Sequence, residues 1–187
     1  MIFTETKLSG AFIIELERCE DERGFFARSW SRREFEARGL DSRIAESNIS
    51  FNKKKGTLRG MHYQAAPHGQ AKLVRCTAGA VYDCVIDLRP DSQTFTQWVG
   101  VELTAHNQLM VHVPDGFAHG FQTLEDGTEI FYEMSQAYVP ESSRGVRWND
   151  PVFGIDWPLE VTAINERDRL YPDYVPSPST EKTSRGV

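Results

Sequence analysis

The sequence predicts an all-β domain of the sandwich, jelly-roll or barrel kind. From Ile44 onward the chain is a series of short, strand-like apolar runs that are separated by turn residues. The pair Ala78-Gly79 interrupts two of these runs in the way that is typical of a hairpin. No internal repeat, linker or change of composition divides the chain. Many short strands at regular spacing indicate a layered or closed β structure.

The elements are predicted in chain order. A first strand is expected over Ala11–Glu17, followed by a charged loop that includes Arg23 and Gly24. A short capped helix is expected over Ser31–Arg38, because a serine precedes this mixed stretch and Gly39 follows it. The later strands are predicted at Leu73–Thr77, Ala80–Leu88, Trp98–Leu103, Leu109–Val113, Gly116–Thr123 and Glu129–Tyr138. After Asn149, turns and loops are expected up to Asp173.

Length and composition predict one globular domain. The chain has 187 residues, of which 40% are apolar and 26% charged, which excludes a disordered or fibrous protein. We expect a single domain over residues 1–175. The polar stretch 176–187 lacks apolar periodicity, so it is predicted to be a mobile tail.

Charge and cysteine content restrict the partners and the compartment. With 21 basic and 27 acidic residues the net charge is −6, and no basic stripe is present, which argues against a nucleic-acid partner. No apolar run approaches the roughly 18 residues of a membrane span, and the N-terminus does not resemble a signal peptide. Cys19, Cys76 and Cys84 fit no metal spacing. Reduced thiols in a cytoplasmic protein explain them best.

Polar residues inside strand-like runs are the candidates for chemistry, because a buried polar side chain is costly unless it is paired or functional. Phosphate-loop, nucleophile-elbow and zinc motifs are absent from the sequence. Strand alternation puts His62 and Gln64 on one face and Arg59 on the other. A glycine bulge at Gly60 would instead turn Arg59 toward the face of His62. Taken alone, His62 also fits a structural histidine.

Three further residues each allow two interpretations. Lys72 opens an apolar strand, so its ammonium group either points into a cavity or lies at the surface. Tyr132 shares a face with Ile130 and Met134, and its buried hydroxyl would bond either the backbone or a ligand. Asp168 either lies in a turn or orients a histidine and raises the basicity of that histidine.

The stretch Val113–Phe121 contains a known turn-and-histidine pattern. Pro114, Gly116 and His119 form Pro-x-Gly-x-x-His, which is the second motif of cupin barrels. The first cupin motif would supply His-x-His and a glutamate as metal ligands, but this chain has His62-Tyr63-Gln64 there. The pattern therefore favours the barrel and not a metal site.

Taken together and in order, these motifs resemble the dTDP-4-dehydrorhamnose 3,5-epimerase family of nucleotide-sugar epimerases. The matching stretches are DERGFF (Asp21–Phe26), TLRGMHYQ (Thr57–Gln64), QAKLVRC (Gln70–Cys76), GAVYDCVIDLRPDSQTFTQW (Gly79–Trp98), VPDGFAHGF (Val113–Phe121), RWNDP (Arg147–Pro151) and IDWP (Ile155–Pro158). The resemblance implies a cupin-type jelly-roll β-barrel with short peripheral helices. It also implies a homodimer that needs no metal or organic cofactor and inverts C3, C5 or both of a nucleotide-diphosphate 4-keto-6-deoxyhexose.

The resemblance also implies a role for each site residue. His62 would be the general base, oriented by Asp168, with Tyr132 as the general acid on the opposite face of the sugar. Lys72 would stabilise the enolate, since protons next to a ketone are too weakly acidic for an unaided base. The implied substrate-binding residues are Arg23, Phe26, Arg28, Glu46, Asn48, Arg59, His119, Tyr138 and Arg167, with Tyr138 in the position that stacks on the nucleotide base.

Three positions depart from the family pattern, and two of them, Arg28 and Glu46, concern the nucleotide end. Arg28 and Ser143 stand where the family commonly has glutamate, and Glu46 stands where it has glutamine. Arg28 and Glu46 would either pair with each other or recognise a base other than thymine.

Two other functions stay open. They are a metal-dependent cupin enzyme that uses His62 and His119, and a non-catalytic nucleotide-sugar-binding module.

Overall fold

The computed structural model describes residues 1–176. Within them, thirteen strands account for most of the regular structure. They are β1 (Ile2–Glu5), β2 (Phe12–Glu15), β3 (Cys19–Asp21), β4 (Gly24–Phe26), β5 (Glu46–Asn52), β6 (Leu58–Gln64), β7 (Lys72–Ala78), β8 (Ala80–Asp87), β9 (Trp98–Thr104), β10 (Met110–Val113), β11 (Phe117–Thr123), β12 (Thr128–Met134) and β13 (Ser143–Gly145). The helices α1 (Arg32–Glu36) and α2 (Glu166–Arg169) and a 3₁₀ turn (Pro140–Ser142) complete the chain. No helix in this part of the chain is long and apolar enough to cross a bilayer.

The strands form two main antiparallel sheets and a separate hairpin. The six-stranded sheet has the order β1-β2-β10-β7-β12-β5, and the five-stranded sheet has the order β13-β6-β11-β8-β9. Within residues 1–176, strands β3 and β4 pair only with each other. Non-consecutive strands are neighbours in both sheets, which is the topology of a jelly roll. The prediction of an all-β jelly roll with short peripheral helices is therefore confirmed.

The apolar residues of the two sheets meet between them, since alternate side chains of each strand point inward. The central cluster contains Val74, Val85, Val111, Phe121 and Ile130, each at most 1% exposed. A second cluster lies under the C-terminal loops, and a third lies beneath α1. The helix α1 has no side-chain cap, and its buried Phe35 attaches it to the third cluster. The packing of Phe35 therefore stabilises this short helix more than its capping does.

The structure differs from the predicted elements mainly at strand ends. The last predicted long strand ends at Met134 rather than Tyr138, because Ser135 leaves the ladder and exchanges hydrogen bonds with Ala71. The predicted charged loop is the tip of the β3–β4 hairpin, where the Asp21 carboxylate accepts the Arg23 N–H at 2.9 Å. Beyond Asn149 the chain is mostly loop, as predicted. The predicted tail, apart from Pro176, lies outside the described residues.

Candidate active site

A cavity of about 700 Å³, its open mouth included, lies between the two sheets. Both sheets and the C-terminal helix α2 contribute to its lining. The structure brings together in it seven of the residues predicted from the sequence, which are Asn48, Arg59, His62, Lys72, His119, Tyr132 and Asp168. Residues that are more than 100 positions apart along the chain therefore converge on one site.

His62 and Asp168 form a hydrogen-bonded pair at one wall of this cavity. His62 Nε2 lies 2.6 Å from Asp168 Oδ1, and Asp168 Oδ2 accepts the Gly60 N–H at 3.1 Å. Asn165 caps α2 by accepting the Asp168 N–H at 2.7 Å, which fixes the carboxylate at the start of the helix. Asp168 is fully buried, whereas the His62 side chain is 37% exposed toward the cavity. With Nε2–H donated to the carboxylate, Nδ1 is left with the lone pair that can accept a proton.

A glycine bulge determines where Arg59 points. His62 pairs with His119 in β11, but Arg59 pairs with Phe121, so one extra residue of β6 is accommodated at Gly60. Gly60 has a φ of +131°, and a Cβ there would lie 2.5 Å from the Gly120 Cα. Only glycine fits this close approach. Arg59 consequently lines the same cavity as His62, as the bulge interpretation predicted.

Lys72 and Tyr132 lie on the opposite wall, which the six-stranded sheet forms. The Lys72 side chain is buried, and its Nζ donates to the His62 carbonyl oxygen at 3.2 Å. Burial lowers the Lys72 pKa to about 8, and the nearby Asp83 carboxylate opposes this shift. Tyr132 points inward with Ile130. Burial and Asp83 raise the pKa of the Tyr132 phenol far above its ordinary value. At neutral pH Tyr132 is therefore a proton donor and not a base.

A second histidine–carboxylate pair joins His119, which lines the cavity, to Asp83. His119 Nε2 is 2.8 Å from Asp83 Oδ2, and both side chains are almost completely buried. The His119 ring lies 6.2 Å from the Tyr132 ring in an edge-on arrangement. The sequence analysis missed Asp83. An aspartate in the middle of the apolar strand Ala80–Asp87 is itself a signal that could have found it.

Tyr138, Glu46, Arg167 and Tyr171 lie around this cavity. The Tyr138 ring is 56% exposed, and its backbone N–H donates to Glu46 Oε1 at 3.2 Å. Arg167 donates to the Tyr171 hydroxyl and to Ser143 Oγ, each at 2.7 Å. The Tyr171 ring lies 6.4 Å from the His62 ring. Tyr171, which the sequence analysis did not assign to the site, thus links the Arg167 guanidinium to the neighbourhood of His62.

Three predicted binding residues do not reach this cavity within one chain. Arg23 is at the tip of the β3–β4 hairpin and donates to Asp21. Phe26 is 78% exposed, and it lines a separate surface depression together with Arg28. The Arg28 guanidinium contacts Glu34 at 3.3 Å, so the alternative in which Arg28 pairs with Glu46 is not realised within residues 1–176.

The two walls of the cavity carry different chemistry. The five-stranded sheet supplies His62 on β6, whereas the six-stranded sheet supplies Lys72 on β7 and Tyr132 on β12. A six-membered ring held between the sheets would meet an oriented imidazole on one face and a phenol on the other. The buried ammonium group can stabilise negative charge that develops on the ring. Fold and site together define a cupin-type barrel enzyme of the isomerase class, equipped for proton transfer at carbon.

Comparison with known proteins specifies the family. The family model described as dTDP-4-dehydrorhamnose 3,5-epimerase matches residues 5–175, and the chain belongs to this family. A dTDP-4-dehydrorhamnose 3,5-epimerase from Pseudomonas aeruginosa is 44% identical over 168 residues, which cover 89% of this chain and 92% of that protein. The crystal structure of a dTDP-4-dehydrorhamnose 3,5-epimerase from Elizabethkingia anophelis superposes with a TM-score of 0.90 at 40% identity, covering 93% of this chain and 96% of the other.

A third similar protein was solved with a ligand. It is the dTDP-6-deoxy-D-glucose-3,5-epimerase of Legionella pneumophila in complex with dTDP-4-keto-L-rhamnose. It is 36% identical to this chain, with a TM-score of 0.83, and the match covers 93% of this chain and 98% of the other. The family membership and the jelly-roll fold that the resemblance implied are thus confirmed.

Proposed function

We propose that the protein inverts C3 and C5, the two carbons next to the ketone, of dTDP-4-keto-6-deoxyglucose. The observation that carries this proposal is the placement of His62 and Tyr132 on opposite walls of one cavity, with the buried Lys72 beside them. Inversion of a carbon requires that a proton leaves from one face and another arrives at the opposite face. The names of the similar proteins support a dTDP sugar as the substrate and inversion at both C3 and C5.

In this mechanism His62 removes the proton next to the ketone through Nδ1, and the Asp168 carboxylate stabilises the imidazolium that forms. The electron pair of the C–H bond forms a carbon–carbon double bond, and the π electrons of the carbonyl group move to the ketone oxygen, which gives an enolate. The Lys72 ammonium group stabilises that oxygen. Tyr132 then gives its hydroxyl proton to the opposite face of the carbon while the carbonyl re-forms. Asn48, Arg59 and His119 hold the substrate from the cavity walls.

We further propose that the nucleotide end is completed by a second copy of the chain. Tyr138 stacks on the base, and Glu46 and Arg167 lie beside it. Arg23, Phe26 and Arg28 would reach this end from the hairpin of a second protomer, since they lie outside their own cavity. A homodimer is supported by an apolar patch on the outer face of the six-stranded sheet, where Ile49 and Phe51 are 64% and 55% exposed.

Substitution of a residue in the apolar patch tests the proposed dimer. Phe51→Glu is expected to give a monomer in sedimentation velocity and to weaken dTDP binding at least about tenfold, because several contacts worth about 1 kcal/mol each are lost. Val152→Glu, at an exposed apolar residue of the C-terminal loops, is the control for the charge itself. A monomeric wild type that binds dTDP tightly would contradict this arrangement.

Two other functions remain as competitors with distinct outcomes. A metal-dependent cupin enzyme would need a third ligand beside His62 and His119, but within residues 1–176 no three histidine, cysteine or carboxylate side chains converge on one point. Stoichiometric metal in the purified protein would favour that function. A binding module would hold the nucleotide sugar without exchanging its protons.

The three cysteines are free thiols, which supports a place in the reducing cytoplasm.

The experiment that tests the proposed function is proton NMR of dTDP-4-keto-6-deoxyglucose in D2O with the enzyme. We expect the C3 and C5 proton signals to disappear as deuterium enters from solvent, and the product configuration to change at both carbons. Exchange at C3 alone would identify a single epimerase. Tight binding with no exchange would identify the binding module. An enzyme that neither binds nor exchanges would direct the search to another nucleotide.

Asp168→Asn is expected to lower kcat/KM by about 10- to 100-fold. The amide still bonds the ring but no longer stabilises the imidazolium, so both the rate and its pH dependence should change. Asp156→Asn, at an exposed aspartate, is the control. The measurement is the pH profile of kcat/KM together with the melting temperature. A variant with a wild-type profile would show that Asp168 has no part in setting the base.

Activity is expected to decline as the pH rises through about 8, where Lys72 loses its proton. Stability should change in the opposite direction. The pKa of Lys72 is lower in the folded chain than the value near 10.4 expected when unfolded, so the unfolded chain binds more protons between these values. The contribution of Lys72 to stability therefore rises with pH in that window.

Lys72→Met should be far less active and should lose the alkaline decline. An alkaline decline that persists in the variant would assign it to another group.

A further inference from the structure

Ser50 places a hydroxyl on the same cavity wall as Tyr132. In the pairing of β5 with β12, Asn48 lies opposite Tyr132 and Ser50 lies opposite Ile130. Residues that face each other across a strand pair point to the same side of the sheet, so Ser50 and Tyr132 are diagonal neighbours on the inward face. Both residues line the cavity that holds His62.

The Ser50 hydroxyl oxygen is buried and makes no hydrogen bond of good geometry with any described residue, although it lies close enough to the Tyr132 phenol to lower the pKa of that group. The Ser50 carbonyl is already occupied, since it accepts from the Asn52 side chain at 3.2 Å. A buried hydroxyl without a well-formed hydrogen bond costs free energy. The mechanism described above leaves this group unused, and its position beside Tyr132 indicates what it can do.

The surroundings of the Tyr132 oxygen contain two groups that favour its ionised form. Burial and the Asp83 carboxylate raise the pKa of the phenol, whereas the Arg59 guanidinium and the Ser50 hydroxyl act in the opposite direction. Arg59 is held in place by Asn52, whose Oδ1 accepts the Arg59 Nε–H at 2.7 Å. Ser50 thus places an uncharged hydroxyl beside the phenol oxygen. Because a hydroxyl can rotate, its proton can turn toward a negative charge that forms on Tyr132.

We propose that Ser50 is a positioning residue for Tyr132. The Ser50 hydroxyl donates a hydrogen bond to the Tyr132 phenolate oxygen that forms during reprotonation. The inference rests on the proposed function. In that step the Tyr132 O–H bond breaks and a C–H bond forms from the enolate electron pair, so the negative charge passes from the enolate to the phenol oxygen. Ser50 keeps its own proton throughout. Solvent returns a proton to Tyr132 before the next turnover.

The proposal is tested with Ser50→Ala and Ser50→Thr. Ser47→Ala, which lies on the opposite face of the same strand, is the control. A hydrogen bond to a charged group is worth about 1.5–3 kcal/mol, so Ser50→Ala should slow inversion by about 10- to 100-fold. Proton removal by His62 should change much less. Deuterium would then enter the substrate faster than configuration inverts. Ser50→Thr, which keeps a hydroxyl, should recover most of the inversion rate.

The ratio of deuterium entry to inversion, followed by NMR in D2O, separates the outcomes. A raised ratio in Ser50→Ala that Ser50→Thr restores supports the proposal. An unchanged ratio overturns it, whether both rates fall together or neither falls, since either result would give Ser50 a structural role or no role. If the wild-type enzyme exchanges no ring protons, the proposed function itself fails, and that result is visible before any variant is made.

Discussion

Replacing His62 by alanine is expected to lower kcat by about 10²- to 10⁴-fold, the usual contribution of a positioned general base. His119 on the same sheet is also paired with a carboxylate, but its side chain is almost completely buried, whereas that of His62 is 37% exposed. Deuterium entry and inversion should fall together, because both require that a proton first leaves carbon. The measurement is NMR in D2O, with substrate binding followed separately by calorimetry.

Among the described residues, His62→Ala leaves the buried Asp168 carboxylate with only the Gly60 N–H as a partner, so some loss of stability is expected. His62→Asn keeps a donor for Asp168 and distinguishes lost chemistry from lost structure. His106→Ala, at an exposed histidine, is the matched control. Substantial turnover in a folded His62→Asn enzyme would remove His62 from the role of base.

Tyr132→Phe is expected to reduce inversion by about 10²- to 10⁴-fold while proton exchange continues. His62 still forms the enolate in this variant. Its imidazolium exchanges its proton with D2O and returns deuterium to the face from which the proton left. The substrate should therefore gain deuterium with its original configuration. The measurement is the NMR ratio of exchanged to inverted sugar.

Tyr63→Phe provides the control for loss of a phenol, since Tyr63 lies next to His62 on β6 of the five-stranded sheet and alternates to the face away from the cavity. The Tyr63 pKa is raised by burial, as that of Tyr132 is, yet Tyr63 does not line the cavity. It should leave both rates unchanged. Full inversion by Tyr132→Phe would show that another group delivers the second proton.

Much of the fold was predictable from local patterns. The strands β7 to β11 were placed to within one or two residues, because apolar alternation and turn residues delimit them well. The short strands β1 and β13 were missed, since each is only three or four residues long. Strand β13 also depends on β6, a partner distant in the chain. The end of β12 was placed too late, since its composition continues beyond Met134 and only the bond between Ser135 and Ala71 ends it.

The site was predictable as a set of residues but not as a geometry. The sequence allowed a regular strand or a bulge at Gly60. The bulge depends on the close approach of the Gly60 and Gly120 backbones, which only the folded structure shows. Asp83 was overlooked because its partner His119 lies 36 residues away and only the sheet brings them together. Arg23, Phe26 and Arg28 were assigned by resemblance, and their distance from the cavity is a matter of tertiary structure that no local pattern reports.

The division of the chemistry between two sheets has a consequence for how specificity can change. The thickness of a sandwich is set by core side chains at about 10 Å, so the gap that the sugar ring must fill is a property of residues such as Val74 and Val85, which never touch it. A new pattern of inversion can then arise from a single enlarged or trimmed core residue that tilts one wall. The reactive groups themselves would stay the same, and relatives with identical catalytic side chains could form different sugars.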